Sequence, residues 1–547
     1  MDLILGFVLA MSVTMALIPP LMQLAVRFNV LDAPGERKVH STPVPRVGGI
    51  AMCAATLLTL LLSGEFAQPM PAFLAGITVL LLFGVWDDRV TLSATPKLVG
   101  QAIAVLVVMV GGDVSIATLT FDERYTLPSW VAQPLTFVFL LGVTNAINLA
   151  DGLDGLAGGT TLLSLSALAL LALTSGNPFV GGVAIAIIGA ILGFLRYNTH
   201  PARVFMGDGG SQILGFSAGV LAVVLTQDAT APLSAALPLL ILGVPIIDTL
   251  MVMTQRILEG RSPFHADRNH IHHRLLALGF DHHEAVMTIY ALQSAFFLIA
   301  WCLRYESDVT IVITFAACSL TTIGLLQWAS STRWRLRAAL GDRTSPVSPL
   351  GRALRWLRQP QHLQRWVLTV IALAISLYLL NVSVVVPAPS PDVRIMSILL
   401  AIVIGASLAL RWRAPEASLI DKLALYIAVV IAVYFDRDTS TWLDRVESMD
   451  WLLFGSLALA IVIRFRLASD RRFRVTPLDL LVIFIAITIP NLPGSIASGA
   501  GFGADIAKLL LLMYGIETLL AAAPREWRLP SIVALAFLAV CTLRGLI

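Results

Sequence analysis

Apolar runs recur about eighteen times along the 547 residues, most of them near the roughly 20-residue length that crosses a hydrocarbon core as a helix. Eleven lie near 3–26, 47–63, 72–86, 97–111, 132–148, 156–174, 179–196, 211–227, 235–254, 286–303 and 309–328. Seven more lie near 366–386, 394–411, 418–435, 450–464, 477–490, 505–523 and 529–546. Hydrocarbon offers a backbone no hydrogen-bond partner, so runs of this kind must pair their own N–H and C=O groups as helices. The expected fold class is therefore an all-α polytopic membrane protein, with about eleven transmembrane helices in an N-terminal core and about seven behind it. A composition 57% hydrophobic and only 13% charged excludes an ordinary soluble domain. The first run lacks a basic leader and is expected to be retained as a span rather than cleaved.

Sidedness follows from the arginines and lysines. The loops after runs one, three, five, seven and nine hold Arg27, Arg37, Lys38, Arg46, Arg89, Lys97, Arg196, Arg203, Arg256, Arg261, Arg268 and Arg274, against only Arg124 and Arg304 in the opposite loops. Positive loops stay in the cytoplasm, so the odd-numbered gaps are read as cytoplasmic and the amino end as external. The net charge of +3 comes from these anchors and implies no nucleic-acid partner. After the eleventh run, eight arginines between Arg333 and Arg365 accompany one acid, Asp342. That stretch reads as a cytoplasmic linker resting on anionic membrane lipids. It separates a core at 1–330 from an accessory membrane region at 366–547, with 331–365 between them. Cys53, Cys302, Cys318 and Cys541 lie in or near apolar runs with no CxxC pair, which supports neither a disulfide framework nor a zinc site.

The polar motifs occupy the cytoplasmic gaps. One apolar run ends in Trp86-Asp87-Asp88-Arg89, two adjacent carboxylates that can hold a divalent cation or divide acid and base roles. A second motif, Asn145-Ala-Ile-Asn148-Leu-Ala-Asp151-Gly152-Leu-Asp154-Gly155, repeats polar oxygens at intervals of three. At helical spacing Asn148, Asp151 and Asp154 share a face suited to a hard cation. A third, Met206-Gly207-Asp208-Gly209-Gly210-Ser211, sets one acid in a glycine turn where backbone N–H groups can approach an anion. The fourth, Pro263-Phe264-His265-Ala-Asp267-Arg268-Asn-His270-Ile-His272-His273-Arg274, packs four of the nine histidines and two arginines into ten residues. Its arginines favour an anionic ligand over zinc. A weaker basic element, Asp32 to Gly49 with Arg37-Lys38-Val39-His40 and Pro45-Arg46-Val47-Gly48-Gly49, suits a phosphate near the membrane or a topological anchor. Together these residues suit phosphoryl transfer between a soluble and a lipid substrate.

In order and spacing these four motifs resemble the polyprenyl-phosphate N-acetylhexosamine-1-phosphate transferases, specifically their WecA/TagO branch, over residues 1–330. The resemblance implies transfer of a sugar-1-phosphate, with GlcNAc as the expected sugar, from a UDP-N-acetylhexosamine to undecaprenyl phosphate. UMP would leave, in the first membrane step of a cell-wall or lipopolysaccharide-type polymer. It implies magnesium, with manganese as the other hard cation, held by Asn148 and Asp208. It casts Asp87, Asp88 and Asp208 as catalytic, and Asn145, Asp151, Asp154, Arg268, His270, His272, His273 and Arg274 as substrate-binding. The family admits both direct attack and a covalent aspartyl intermediate. A muramoyl-pentapeptide substrate is the alternative within the family; a transporter or a silent scaffold is the alternative outside it. The C-terminal region departs from the family pattern and is expected to pack or to dock other polysaccharide-assembly enzymes.

Overall fold

A computed structural model describes residues 3–32, 43–64, 67–90, 92–121, 123–228, 233–261, 269–332, 361–386, 389, 391–411, 419–438, 447–467, 502–522 and 528–544. The chain is an all-α polytopic membrane protein with two compact units, the first Met1–Arg343 and the second beginning at Thr344. Most of the expected linker, the histidine-loop residues 262–268 that include Arg268, and the apolar run at 477–490 lie outside the described residues.

The first unit runs α1 (Leu3–Phe28), α2 (Gly48–Ser63), α3 (Met70–Val90), α4 (Ala94–Gly111), α5 (Ser129–Ala150), α6 (Leu156–Ser175), α7 (Pro178–Asn198) and α8 (Gly207–Thr226). It continues with α9 (Pro238–Ile241), α10 (Gly243–Leu258), α11 (Ile271–Ala277), α12 (His282–Cys302) and α13 (Asp308–Ser331). Two short antiparallel hairpins interrupt the helices: β1 (Leu31–Asp32) with β2 (Val44–Pro45), and β3 (Thr118–Thr120) with β4 (Arg124–Thr126). Among the described residues, nine helices of this unit are long and apolar enough to cross a membrane, α2 is a shorter apolar helix of 16 residues, and α10 is also 16 residues long.

Packing orders the helices radially. The apolar stretch of α8 is 94% buried and that of α6 89%, whereas only 11% of α13's is, so α8 and α6 form the axis and α13 faces outward. Large apolar side chains such as Leu82, Val110, Trp130, Val138 and Leu320 stand exposed, as a lipid-facing surface requires.

The expected span at 235–254 is broken. Pro245 has no N–H to return to the carbonyl of Ile241, and its ring crowds that carbonyl, so the helix stops at Leu242 and restarts at Gly243. The freed groups are repaired from neighbouring helices. Ile241 O accepts from Ser164 Oγ and from Gln293 Nε2, both at 2.8 Å, while Gln293 Oε1 accepts the Val244 N–H at 3.2 Å. Replacing this amide, in Gln293→Leu, strands the Val244 N–H in an apolar layer. The expected loss is about 1–3 kcal/mol, read as a lower thermal midpoint of the purified protein; an unchanged midpoint would count against the repair.

The second unit contains α14 (Gln361–Val385), α15 (Pro391–Arg411), α16 (Leu419–Asp438), α17 (Glu447–Leu467), α18 (Phe502–Ala522) and α19 (Arg528–Arg544). Tyr378, Ile375, Ile516 and Phe537 lie in its core. Asp436 is buried and accepts from Lys508 Nζ at 3.0 Å and Tyr378 Oη at 3.2 Å, so this acid is compensated rather than clustered with others.

Candidate active site

The polar motifs meet at one end of the first unit because the helices that carry them alternate in direction. α3 ends at Asp87 and Asp88, α5 ends just beyond Asn148, and α8 begins at Gly207, so their polar ends share a level. The approach of α3 to α8 depends on glycine. A Cβ on Gly84 would stand 2.2 Å from the Gly209 Cα, which only hydrogen permits.

Three carboxylates result. Asp87 is buried, accepting the Leu92 N–H at 2.8 Å and Lys97 Nζ at 2.7 Å. Asp208, in the first turn of α8, takes the same ammonium at 2.5 Å. Asp88 Oδ1 lies 3.8 Å from an Arg46 guanidinium nitrogen and accepts the Asp208 N–H at 3.3 Å. Lys97 thus lies between two acids contributed by different helices, and Arg46 guards the third.

Arg46 is brought there by the first hairpin. It is paired with Asp32, its backbone forms a bridge with Phe205, and Gly48 and Gly49 donate to Phe205 O and Met206 O at 3.0 and 2.8 Å. The basic element expected as a phosphate site or an anchor is therefore stitched to the turn that presents Asp208. Lys97 is counted in the sequence only among the positive loops, and its pairing with two acids is not foreseen; the signal available is three acids on one face with no assigned counter-charge.

The second motif is not one helical face. α5 stops at Ala150, and Gly155, at φ 80°, turns the chain into α6. Asn148 stays on the helix and donates from Nδ2 to Ser211 Oγ at 2.8 Å, one turn from Asp208. Asn145 sits a turn further back and donates to Gln101 Oε1 at 2.7 Å and Leu141 O at 2.9 Å. Asp151 lies on the turn. Its carboxyl opens to solvent on one side but is surrounded by protein; that burial, with the charges of Asp208 and Asp154, pushes it up to about 7. Asp154 points elsewhere, accepting the Ala202 N–H at 3.1 Å and contacting His200 Nδ1 at 2.6 Å. Burial works to raise Asp154, but these partners outweigh it and hold the carboxyl below its usual range.

The histidine loop closes over this turn. His272 is buried, its Nε2 only 2.2 Å from where a Cβ on Gly152 would be, so the ring lies directly on the backbone of the second motif. His273 and His270 flank it, with ring centres 4.2 and 5.8 Å away. Burial, and then the His273 ring, push His272 down to about 3, so it contributes a neutral imidazole at physiological pH. Because an unfolded histidine titrates near 6.5, stability tied to His272 is complete above that pH and lost as pH falls towards about 3. His272→Gln is expected to flatten the drop in thermal midpoint between pH 7.5 and pH 5, by about 2 kcal/mol at the lower pH; parallel profiles for the two proteins would refute it.

Asp248 was missed by motif reading. It is a buried acid within apolar α10, which is itself the signal. Its Oδ2 lies 2.8 Å from His270 Nδ1 and its Oδ1 accepts the Ile271 N–H at 2.7 Å, fixing the start of α11. Arg274 is committed to the same framework, through Asn269 O at 2.9 Å and Gln255 Oε1 at 2.6 Å.

The carboxylates of Asp87, Asp88 and Asp208, with the Asn148 side-chain amide beside Ser211, form an oxygen-rich donor set that fits a hard divalent cation.

The sequence profile of glycosyl transferase family 4 matches residues 70–226, which carry Asp87, Asp88, Asp151, Asp154 and Asp208 but not Asp32 or Asp248. A probable undecaprenyl-phosphate N-acetylglucosaminyl 1-phosphate transferase of Bacillus subtilis (strain 168) is 36% identical over 305 residues, 55% of this chain and 85% of that protein. A decaprenyl-phosphate N-acetylglucosaminephosphotransferase of Mycolicibacterium smegmatis is 33% identical over 49% of this chain and 73% of its own length. An undecaprenyl-phosphate alpha-N-acetylglucosaminyl 1-phosphate transferase of Escherichia coli (strain K12) is 32% identical over 49% and 74% respectively. With the four motifs gathered at one end of the bundle and relatives of this identity matched over most of their lengths, the chain belongs to glycosyl transferase family 4 and is a membrane-embedded phosphotransferase.

Proposed function

We propose that the chain transfers N-acetylhexosamine-1-phosphate, with GlcNAc as the sugar, from a UDP-sugar to undecaprenyl phosphate and releases UMP, at the cytoplasmic face of a bacterial inner membrane. The observation that carries this reading is the pairing of Asp87 and Asp208 through Lys97, beside Asp88 and Arg46, at one end of an apolar bundle. Excess negative charge with two fixed cations suits a diphosphate that arrives with its own metal. Magnesium or manganese held by Asp208 and the Asn148 amide oxygen would supply positive charge to that diphosphate.

The protein's own groups do the rest. Lys97 and Arg46 offset phosphate charge, Arg46 reaching the site from the first hairpin. Asp87 accepts the acceptor phosphate's proton, with Asp88 beside it. The acceptor oxygen attacks the sugar-bearing phosphorus, the bond from that phosphorus to the bridging oxygen breaks, and UMP leaves. Asp151 and Asp154 line the nucleotide side. His270, His272, His273 and Arg274, with Arg268 from the undescribed part of the loop, enclose the sugar and its phosphates. Asn145, one turn before Asn148 on α5, is assigned to the same substrate-binding surface.

The test is UMP release by purified protein with undecaprenyl phosphate, magnesium and a panel of UDP-N-acetylhexosamines that includes the muramoyl-pentapeptide donor, repeated with EDTA. Lipid- and metal-dependent release with UDP-GlcNAc is expected. Release with the muramoyl donor alone would replace the sugar assignment. Folded protein silent towards every donor would overturn the reaction.

A further inference from the structure

Beyond the acidic cluster, a second group of side chains has the composition of a metal site. Asp154 on the turn after α5, His200 on the loop after α7 and His282 at the start of α12 each bring one ligand atom within 4.8 Å of the others. The His200 and His282 rings face each other at 4.0 Å with 22° between their planes, and the His283 ring stands 5.2 Å from His200. Imidazoles this close do not readily both take a positive charge, so each keeps a lone pair that a shared cation can accept. A second, independent observation points the same way: among the described residues His282 Nδ1 is buried and has no hydrogen-bond partner, although its Nε2 lies 3.3 Å from Asp154 O.

We infer that Asp154, His200 and His282 bind a borderline-soft divalent cation of the zinc class, separately from the oxygen-donor cation of the catalytic cluster. Two imidazoles and one carboxylate are a zinc ligand set, whereas magnesium prefers all-oxygen surroundings. Each of the three ligands is only partly buried, which leaves a fourth position to solvent and makes the ion exchangeable rather than structural. The ligands come from three elements, so the bound ion ties the 151–155 turn to α12 and to the loop leading into α8. Asp154, assigned to the nucleotide side in the proposed reaction, already rests on His200 and the Ala202 N–H; the ion locks it in that arrangement against exchange for substrate, and so acts as an inhibitor.

Direct binding is the first readout, because it does not depend on the proposed reaction. Metal-stripped full-length protein in detergent, with excess magnesium, is dialysed against zinc and, separately, titrated with cobalt(II). One zinc per chain and the strong visible absorption of four-coordinate cobalt are expected. Both should be lost in His200→Ala and in His282→Gln, each checked for an unchanged gel-filtration profile, and both should persist in Asp208→Asn. No zinc retained by wild-type protein would overturn the site. Binding that survives both histidine variants but disappears in His272→Ala would move it to the histidine loop and equally overturn it. The second readout is UMP release, which zinc should suppress in wild-type protein and not in His200→Ala; zinc bound as expected but without inhibition would remove the regulatory role alone.

Discussion

Asp208→Asn is expected to lower UMP release by about 10²–10³-fold at saturating substrates, the cost typical of removing one aligned electrostatic contact from a site that stabilises developing charge. The substitution keeps the size of the side chain and leaves the backbone N–H that donates to Asp88 Oδ1. It removes only charge. That charge has two calls on it: the Lys97 ammonium at 2.5 Å and the divalent cation assigned to the same oxygens. With an amide there, Lys97 is left to Asp87 alone, and the donor set has one anion fewer. The magnesium concentration for half-maximal activity should therefore rise together with the fall in turnover. Membrane insertion and thermal midpoint should change little, because Asp208 sits at the helix end facing the open part of the site. Turnover within a few-fold of wild type would remove Asp208 from the metal and catalytic assignments together.

The sequence made some of this legible and hid the rest for physical reasons. Apolar run length and the placement of acids in alternate gaps sufficed for fold class and for one shared polar end, because bilayer thickness fixes both helix length and alternation. The break at Leu242 was readable in principle from Pro245, but a proline inside an apolar run marks either a kink or a break, and Gln293 and Ser164, which make the break affordable, come from other helices. Interval-of-three spacing overstates the helix at Asp151 and Asp154, since α5 stops at Ala150 and Gly155 turns the chain into α6. Partnerships were the least legible layer. Lys97 with Asp208, Asp154 with His200 and Asp248 with His270 join positions 111, 46 and 22 residues apart, and nothing local in the chain encodes them. Asp248 nevertheless had a usable signature, an acid alone in an apolar helix.

The geometry of the three acids rests on a contact that contains no acid. α3 and α8 cross with Gly84 against Gly209, and a Cβ on Gly84 would fall 2.2 Å from the Gly209 Cα and 3.0 Å from its nitrogen. Both obstacles are backbone, so neither can swing aside as a side-chain tip would. Ordinary contact therefore requires the helices to separate by more than an ångström. Gly84 lies about one turn before Asp87 and Asp88, and Gly209 adjoins Asp208, so the separation falls directly on the distances from Lys97 to its two carboxylates. A misplacement of about 1 Å at a reacting centre costs about 10²-fold, and Gly84→Ala is expected to lose turnover on that scale, with Gly84→Val losing more. Gly142→Ala is the control. It introduces the same methyl group into α5 where nothing lies within 4 Å, and it should leave turnover unchanged while gaining slightly in helix propensity. Measuring UMP release and thermal midpoint for both variants separates the effects: alignment predicts that Gly84→Ala loses turnover out of proportion to stability. A Gly84→Ala enzyme with wild-type turnover would show that the carboxylates do not depend on this crossing for their register.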